Sequence, residues 1–273
     1  MQWTAEAGAA IKKVPFFVRK RVRARVEDEA KQAGKTKVSL ADVRLTQERY
    51  LAKMSDEVRG YQLETCFGPG GCPNRAIDSD RLVERLEQIL KRSDLRKFLE
   101  AHVKGGLKHH HEFRVTVADC PNACSQPQIK DMGIVGAAEP VMTEEPCTLC
   151  QLCVEVCAED AVSLKDPDET PVIDYDRCVR CGKCMEVCPA GTLATGNRGY
   201  RVLLAGKLGR HPRLAEELPE IYQEDEVVSI LESCLDYYKR SSKRGERFAE
   251  IYQDAESLGL PITHTSHEKK RAN

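Results

Sequence analysis

The chain has 273 residues, with 42 Lys and Arg against 43 Asp and Glu, for a formal net charge of −1. That length holds one large domain or two small ones around real cores. The near-zero charge excludes bulk attraction to nucleic acid or to an acidic membrane surface. No run of about 18 apolar residues occurs, so no membrane-spanning helix is expected. Residues 1–10 lack a basic stretch followed by an apolar one, so no secretory signal is expected either, and the expected location is cytoplasmic. The outlying number is 13 cysteines. In a reducing compartment thiols serve as metal ligands more often than as disulfides.

In chain order, residues 1–58 read as a helical domain. Val18, Val22, Val26 and Ala30 recur four apart, and Gly34 follows as a stop signal. Ser39 with Asp42 resembles a helix start before Val43. Between Lys12 and Arg25 lie seven basic residues and no acidic one, either a solvated helix face or an anion-facing surface. In residues 59–142, Asp78 or Ser79 is placed to cap a helix whose face is Leu82, Leu86, Ile89 and Leu90. Phe113, Val115 and Val117 alternate with Arg114 and Thr116, which predicts a strand with one apolar side running into Cys120. Residues 143–190 hold the cysteine block. Positions 144–188 carry 11 acidic and 4 basic residues, a surface that suits a basic electron donor. Residues 191–255 contain a strand at 200–205, a loop at Gly206 and Gly209, and an amphipathic helix with Val227, Ile230, Leu231, Cys234, Leu235 and Tyr238 on its face. Cys234 is expected to be a small core residue there. Residues 256–273 read as a poorly ordered tail.

The other twelve cysteines fall into sets of four. Cys147, Cys150, Cys153 and Cys157 follow a C-x2-C-x2-C-x3-C order, and Cys178, Cys181, Cys184 and Cys188 repeat it before Pro189. Three thiolates at this spacing wrap one cubane, and the fourth reaches the other cluster. One 4Fe–4S cluster is therefore expected on Cys147, Cys150, Cys153 and Cys188, and a second on Cys178, Cys181, Cys184 and Cys157. Zinc is the alternative occupant. The block resembles a bacterial two-cluster ferredoxin, which implies electron transfer rather than substrate chemistry.

The remaining four are Cys66 and Cys72, flanking Phe-Gly-Pro-Gly-Gly, and Cys120 and Cys124, flanking Pro-Asn-Ala. Four thiolates can hold a third 4Fe–4S cluster, and the glycines let backbone pass close to it. The run Asp119-Cys-Pro-Asn-Ala-Cys-Ser-Gln-Pro-Gln-Ile, continuing to Gly133-Ile-Val-Gly136, resembles the sirohaem sulfite and nitrite reductase family. So does Gly199-Tyr-Arg-Val-Leu-Leu-Ala-Gly-Lys-Leu-Gly-Arg210, with the ferredoxin block inserted as in dissimilatory sulfite reductase subunits. The resemblance implies that Cys66, Cys72, Cys120 and Cys124 bind the cluster, and that Cys124 also coordinates sirohaem iron. It further implies six-electron reduction of sulfite or nitrite, with basic side chains holding the oxyanion and supplying protons. Lys108 and Arg114, in Lys108-His-His-His-Glu-Phe-Arg114, are the substrate-side candidates, although Glu112 stands where a basic residue is typical. Asn122 and Arg201 are candidate cofactor contacts.

Residues 1–50, with Trp3-Thr-Ala-Glu-Ala and then Val14-Pro-Phe-Phe-Val-Arg-Lys-Arg-Val-Arg, resemble the small helical domain of a light-independent protochlorophyllide reductase subunit. The family's second cysteine half is absent from this sequence. The cation-rich helix at Arg19, Lys20, Arg21, Arg23 and Arg25 is therefore expected to cover the haem. The expected fold is α+β: a helical N-terminal domain, a mixed α/β sirohaem-reductase-type domain and an inserted ferredoxin-like domain. The expected protein is a sirohaem reductase subunit, as a homodimer or in a complex, fed by a donor such as ferredoxin. The competing readings are a haem-free carrier with three 4Fe–4S clusters and a structural subunit of a larger reductase.

Overall fold

The computed structural model describes residues 1–164 and 170–260. The predicted tail beyond residue 260 lies outside the described residues. The fold is α+β and divides into two compact units, Met1–Arg59 with Val103–His110, and Gly60–His102 with His111 onward.

The first unit contains β1 (Gln2–Trp3), α1 (Ala5–Lys12), α2 (Phe16–Gln32), β2 (Lys37–Val38) and α3 (Leu40–Glu57). The helical pattern holds for α2, which ends just before Gly34, a residue in the left-handed region at φ 70°. Ser39 and Asp42 form a reciprocal capping box at the start of α3. Asp42 also accepts from Lys35, and hydrogen bonds from Lys35 and Ser39 hold its carboxyl down at about 2. The parallel pairing of β1 with β2, Trp3 opposite Val38, has no counterpart in the helical reading, because two residues are too few to alternate. Ala7, Val26, Ala30 and Val38 form the core, with Trp3, Val22 and Val43 packed against it.

The basic helix largely serves its own unit. Arg19 donates to the carbonyls of Lys12 and Val14, both at 2.8 Å. Arg23 pairs with Glu27 at 3.2 Å and lies 5.0 Å over the Trp3 ring. Arg25 pairs with Glu29 at 3.5 Å and lies 5.3 Å over Tyr50.

The second unit contains β3 (Tyr61–Thr65), α4 (Asp80–Arg92), α5 (Leu95–His102), β4 (Phe113–Ala118), β5 (Met132–Met142), α6 (Leu152–Glu155), β6 (Val162–Ser163), β7 (Val172–Ile173), α7 (Lys183–Glu186), β8 (Leu193–Leu204), β9 (Glu216–Glu217), α8 (Glu224–Ser241) and α9 (Phe248–Ile251). Its main sheet has the order β3-β4-β5-β8-β9. The first two pairings are parallel, with Leu63 opposite Val115 and Val117 opposite Ile134. The last two are antiparallel. The strand expected at 113–117 is β4, and its apolar side, Phe113, Val115 and Val117, is buried. As a central strand β4 is covered on both faces, and Thr116 is wholly buried. Its hydroxyl donates to the Glu64 carbonyl at 3.1 Å, which satisfies the buried polar group.

Helix α4 buries Leu82, Leu86, Ile89 and Leu90. Of its two candidate caps, Ser79 makes no capping bond, whereas Asp78 accepts from the Asp80 N–H at 3.0 Å. Helix α8 buries the predicted face, and Cys234 is fully enclosed in it. Phe113 packs edge-on against Phe248 at 5.3 Å and beside Tyr238 at 5.7 Å, linking β4 to α8 and α9.

The long β5–β8 hairpin positions the cysteine block. At its far end Met142 lies opposite Leu193, and the whole block fills the connection between them. The block folds back on β5. The Ala138 N–H donates to the Arg180 carbonyl at 2.8 Å, and Arg180 pairs with Glu139 at 3.2 Å. Tyr175 donates to the Pro140 carbonyl at 2.9 Å. Gly136 on β5 is required by close approach, since a Cβ there would come 2.5 Å from the Asp119 carbonyl and 2.4 Å from Ile77 Cγ2. Gly136→Ala is expected to destabilise the second unit by about 1–3 kcal/mol through overpacking. Anaerobic urea unfolding would read this as a lowered midpoint at constant slope. Among the described residues no helix is long and apolar enough to cross a membrane.

Candidate functional site

Cys66 follows β3 and Cys120 follows β4, so two neighbouring parallel strands deliver one cysteine pair each to the same end of the sheet. Cys66 Sγ accepts two backbone N–H groups, from Gly68 and Asp119, both at 3.3 Å. Burial pushes the Cys120 thiol up, the Asn122 N–H opposes this, and charge on Cys66, Cys72 and Cys124 adds to the rise. The four are therefore close neighbours. Cys124 is the exposed member, and its Sγ accepts from Asn122 Nδ2 at 3.0 Å.

In the inserted block, Cys147, Cys150, Cys153 and Cys188 line one space. Cys157, Cys178, Cys181 and Cys184 line another, a cavity of about 380 Å³ whose wall also includes Cys120 and Asn122. The last cysteine of each run thus sits with the first three of the other run. The two runs fold alike. Leu149 and Arg180, each in the left-handed region at φ 57° and 60°, donate their N–H groups to Cys147 and Cys178 at 3.3 and 3.4 Å. The next turn is made by Gln151 at φ 61° in one run and Gly182 at φ 82° in the other. Ala123, within the Cys120–Cys124 loop, is also left-handed at φ 53°. Backbone strain of this kind concentrates where a loop must aim its N–H groups at a bound group. No signal in the sequence marks these four non-glycine positions.

The thiols themselves test the fit. Burial, with charge on Cys178, Cys181 and Cys157, pushes Cys184 up to about 12. Burial also raises Cys153, with Cys147 and Cys150 adding to it. Sulfurs crowded and desolvated in this way ionise only beside compensating positive charge, which the irons of a cluster supply. Cys188 is the opposite case. Against the upward push of burial, N–H groups of residues 190–193 hold its thiol below the ordinary range. Among the described residues no three His, Cys, Asp or Glu side chains are placed to hold a single metal ion. In the inserted block the cysteines line two spaces in sets of four, the ligand count of a multi-atom cluster. The residues fit 4Fe–4S clusters.

The other predicted site residues are more dispersed. Lys108 is exposed and belongs to the first unit. Arg114, in the second, is half-buried. Its backbone N–H donates to Asp131 at 2.9 Å, and its Nε is buried without a hydrogen-bond partner among the described residues. Glu112 is buried and accepts from Gln62 at 2.6 Å. Arg201 is held by Glu217 in a two-pronged ion pair with both contacts at 2.6 Å.

A family model described as the nitrite and sulphite reductase 4Fe-4S domain matches residues 58–256, which include all four cysteines of the sheet-end set and the whole inserted block. The chain belongs to this family. A second model, the proto-chlorophyllide reductase 57 kD subunit, matches residues 3–46. The chain is 30% identical over 182 residues to the coenzyme F420-dependent sulfite reductase of Methanocaldococcus jannaschii, covering 67% of this chain and 27% of that protein. It is 27% identical over 127 residues to a subunit of the anaerobic sulfite reductase of Salmonella typhimurium, covering 46% of this chain and 32% of that one. Among solved structures, dissimilatory sulfite reductase I superposes with a TM-score of 0.48 at 17% identity, covering 81% of this chain and 60% of its own. The chain thus spans about a third or less of the length of the two curated relatives.

Proposed function

We propose that this chain is a redox subunit of a sirohaem-type reductase. Its inserted ferredoxin segment takes electrons from a donor protein such as ferredoxin and relays them to a coupled cluster–sirohaem centre. The observation that carries this reading is the shared cavity wall. Cys120 of the sheet-end set and the Cys157, Cys178, Cys181 and Cys184 set border one space. A relay needs its centres close, and here the two ligand sets adjoin. Bound, the three clusters supply one-electron transfer and the sirohaem supplies an open iron for six-electron reduction of sulfite or nitrite.

The chain's own residues hold and tune these groups. The proposed ligand sets are Cys147, Cys150, Cys153 and Cys188; Cys178, Cys181, Cys184 and Cys157; and Cys66, Cys72, Cys120 and Cys124. The N–H groups of Gly68, Asp119, Leu149 and Arg180 stabilise thiolate sulfur. Cys124, exposed and hydrogen-bonded by Asn122, would be the residue that also holds the sirohaem. Arg114 and Lys108 are the proposed cations for the oxyanion, and Arg114 brings an N–H with no protein partner among the described residues. Arg201 is the weaker cofactor contact, since Glu217 already engages it. Sulfite is the favoured oxyanion, because the relatives named above are sulfite reductases. A larger assembly, as a homodimer or with further subunits, is part of this proposal, supported by one relative being itself a subunit of a sulfite reductase. The proposed domains are 1–58, 59–142 with 191–255, and the inserted 143–190, and the thiol-rich sites suit a reducing cytoplasm.

A haem-free carrier with three 4Fe–4S clusters is the second reading. What favours it is that Arg19, Arg23 and Arg25, the cations expected to meet a haem's carboxylates, are engaged within the first unit. Anaerobic purification with iron analysis and a visible spectrum separates the readings. About twelve irons per chain with sirohaem absorption is the expected result. About eight irons would remove the Cys66 site, and about twelve without haem absorption would select the carrier.

A further inference from the structure

Beside the Cys66 thiol stands an ion pair whose carboxylate, on Asp119, is buried and whose guanidinium, on Arg75, is partly exposed. Asp119 immediately precedes Cys120 and is only 2% exposed. Its backbone N–H donates to Cys66 Sγ at 3.3 Å. Its carbonyl accepts from the N–H groups of Ala76 at 2.9 Å and Ile77 at 3.2 Å. Its carboxylate Oδ2 lies 2.7 Å from Arg75 Nε, and both atoms are buried without a well-aimed hydrogen bond, so the contact is charge against charge. The same oxygen presses on the cysteine loop, since a Cβ on Gly68 would come within 2.0 Å of it. Gly68 supplies the second N–H to Cys66 Sγ, at 3.3 Å. One carboxylate therefore touches the turn that aims a donor at the sulfur, and its own residue provides the other donor.

We infer that the Arg75–Asp119 pair sets the reduction potential of the cluster held by Cys66, Cys72, Cys120 and Cys124, an inference that rests on that proposed ligand set. Reduction adds one electron, and so one negative charge, to the cluster. A buried carboxylate a few bonds from Cys120 opposes that charge, and water does not screen it. The Arg75 guanidinium offsets the carboxylate. Arg75 also reaches Asp78 at 2.9 Å and Asp80 at 3.4 Å, but those carboxylates are 69% and 57% exposed and are screened by solvent. The field at the cluster is thus set by the balance of the buried Asp119 carboxylate and the Arg75 guanidinium held 2.7 Å from it. A pair that served packing alone would leave the potential indifferent to which of its members is neutralised.

The test is a redox titration followed by electron paramagnetic resonance on the full-length, anaerobically prepared protein. Asp119→Asn should raise the potential of the Cys66-set signal. The shift should reach at least tenfold in the reduced-to-oxidised ratio at fixed ambient potential, about 59 mV for a one-electron couple. Arg75→Gln should shift it the opposite way, and Arg75→Lys should stay near the wild type. The cluster of the Cys147, Cys150, Cys153 and Cys188 set should keep its potential in every variant. If Asp119→Asn loses iron, the Arg75 variants decide, because a shift in Gln with none in Lys supports the same conclusion. Shifts of the same sign in Asp119→Asn and Arg75→Gln, or none in either at unchanged iron content, would overturn the inference and leave the ligand set standing. A wild-type protein with about eight irons would overturn both.

Discussion

Replacing Cys188 by serine is expected to abolish the cluster of the Cys147 run and to spare the cluster of its own run. Cys188 lies with Cys147, Cys150 and Cys153 around one space, while Cys157 lies with the Cys178 run. Backbone N–H groups of residues 190–193 favour its thiolate, the form that binds iron. Iron should fall from about twelve to about eight per chain. Combining Cys188→Ser with Cys147→Ser should remove no further iron, because both act on one cluster. Combining it with Cys178→Ser should bring iron to about four, because two clusters are lost independently. If the two combinations behave the other way round, each run holds its own cluster and the crossed ligand sets are wrong.

That crossing is legible in the sequence because a cubane constrains its ligands tightly, and a C-x2-C-x2-C-x3-C order leaves the fourth sulfur too far round to serve the first three. The helices α4 and α8 are legible for a similar reason, since each carries its apolar residues on one face over several turns. Strand β5 is not. Its Gly133, Gly136, Ala137 and Ala138 are buried without alternation, because β5 is central and flanked by β4 and β8. Short residues there answer to backbone from other segments, as Gly136 does to Asp119, and such contacts leave no local period. Helix α5 hides behind Asp94, whose left-handed turn breaks the pattern begun by α4. At the site, residue type marks the proposed ligands but not their surroundings. The N–H donors of Leu149 and Arg180 depend on φ angles that neither residue type favours. The Arg75–Asp119 pair joins residues 44 positions apart, and although Asp119 opens the Cys120–Cys124 run, nothing in that run points to Arg75. The two-residue pairing in the first unit is illegible for want of length, and the central position of β4 because alternation cannot report a second covered face.

Replacing Cys124 by serine is expected to remove sirohaem absorption and to damage the sheet-end cluster, while both ferredoxin clusters stay reducible. Cys124 is the exposed member of its set, whereas Cys66, Cys72 and Cys120 are half-buried, so it is the member most open to a further group. A serine hydroxyl is a poor ligand for iron and, when ionised at all, a harder one than thiolate. Neither ferredoxin set uses Cys124, so dithionite should still reduce about eight irons' worth of cluster. Asn122→Ala tests the neighbouring role separately. It removes the 3.0 Å donor to Cys124 Sγ but leaves the ligand, and losing a ligand's hydrogen-bond partner costs about 10–100-fold in site affinity or activity rather than the whole site. The two variants should therefore differ in kind, with haem absent in Cys124→Ser and present but weakly held in Asn122→Ala. Full haem absorption in Cys124→Ser would remove the bridging sulfur from the proposal. Absence of haem in the wild type, with the sheet-end cluster intact, would make Cys124 an ordinary cluster ligand and the chain a three-cluster electron carrier.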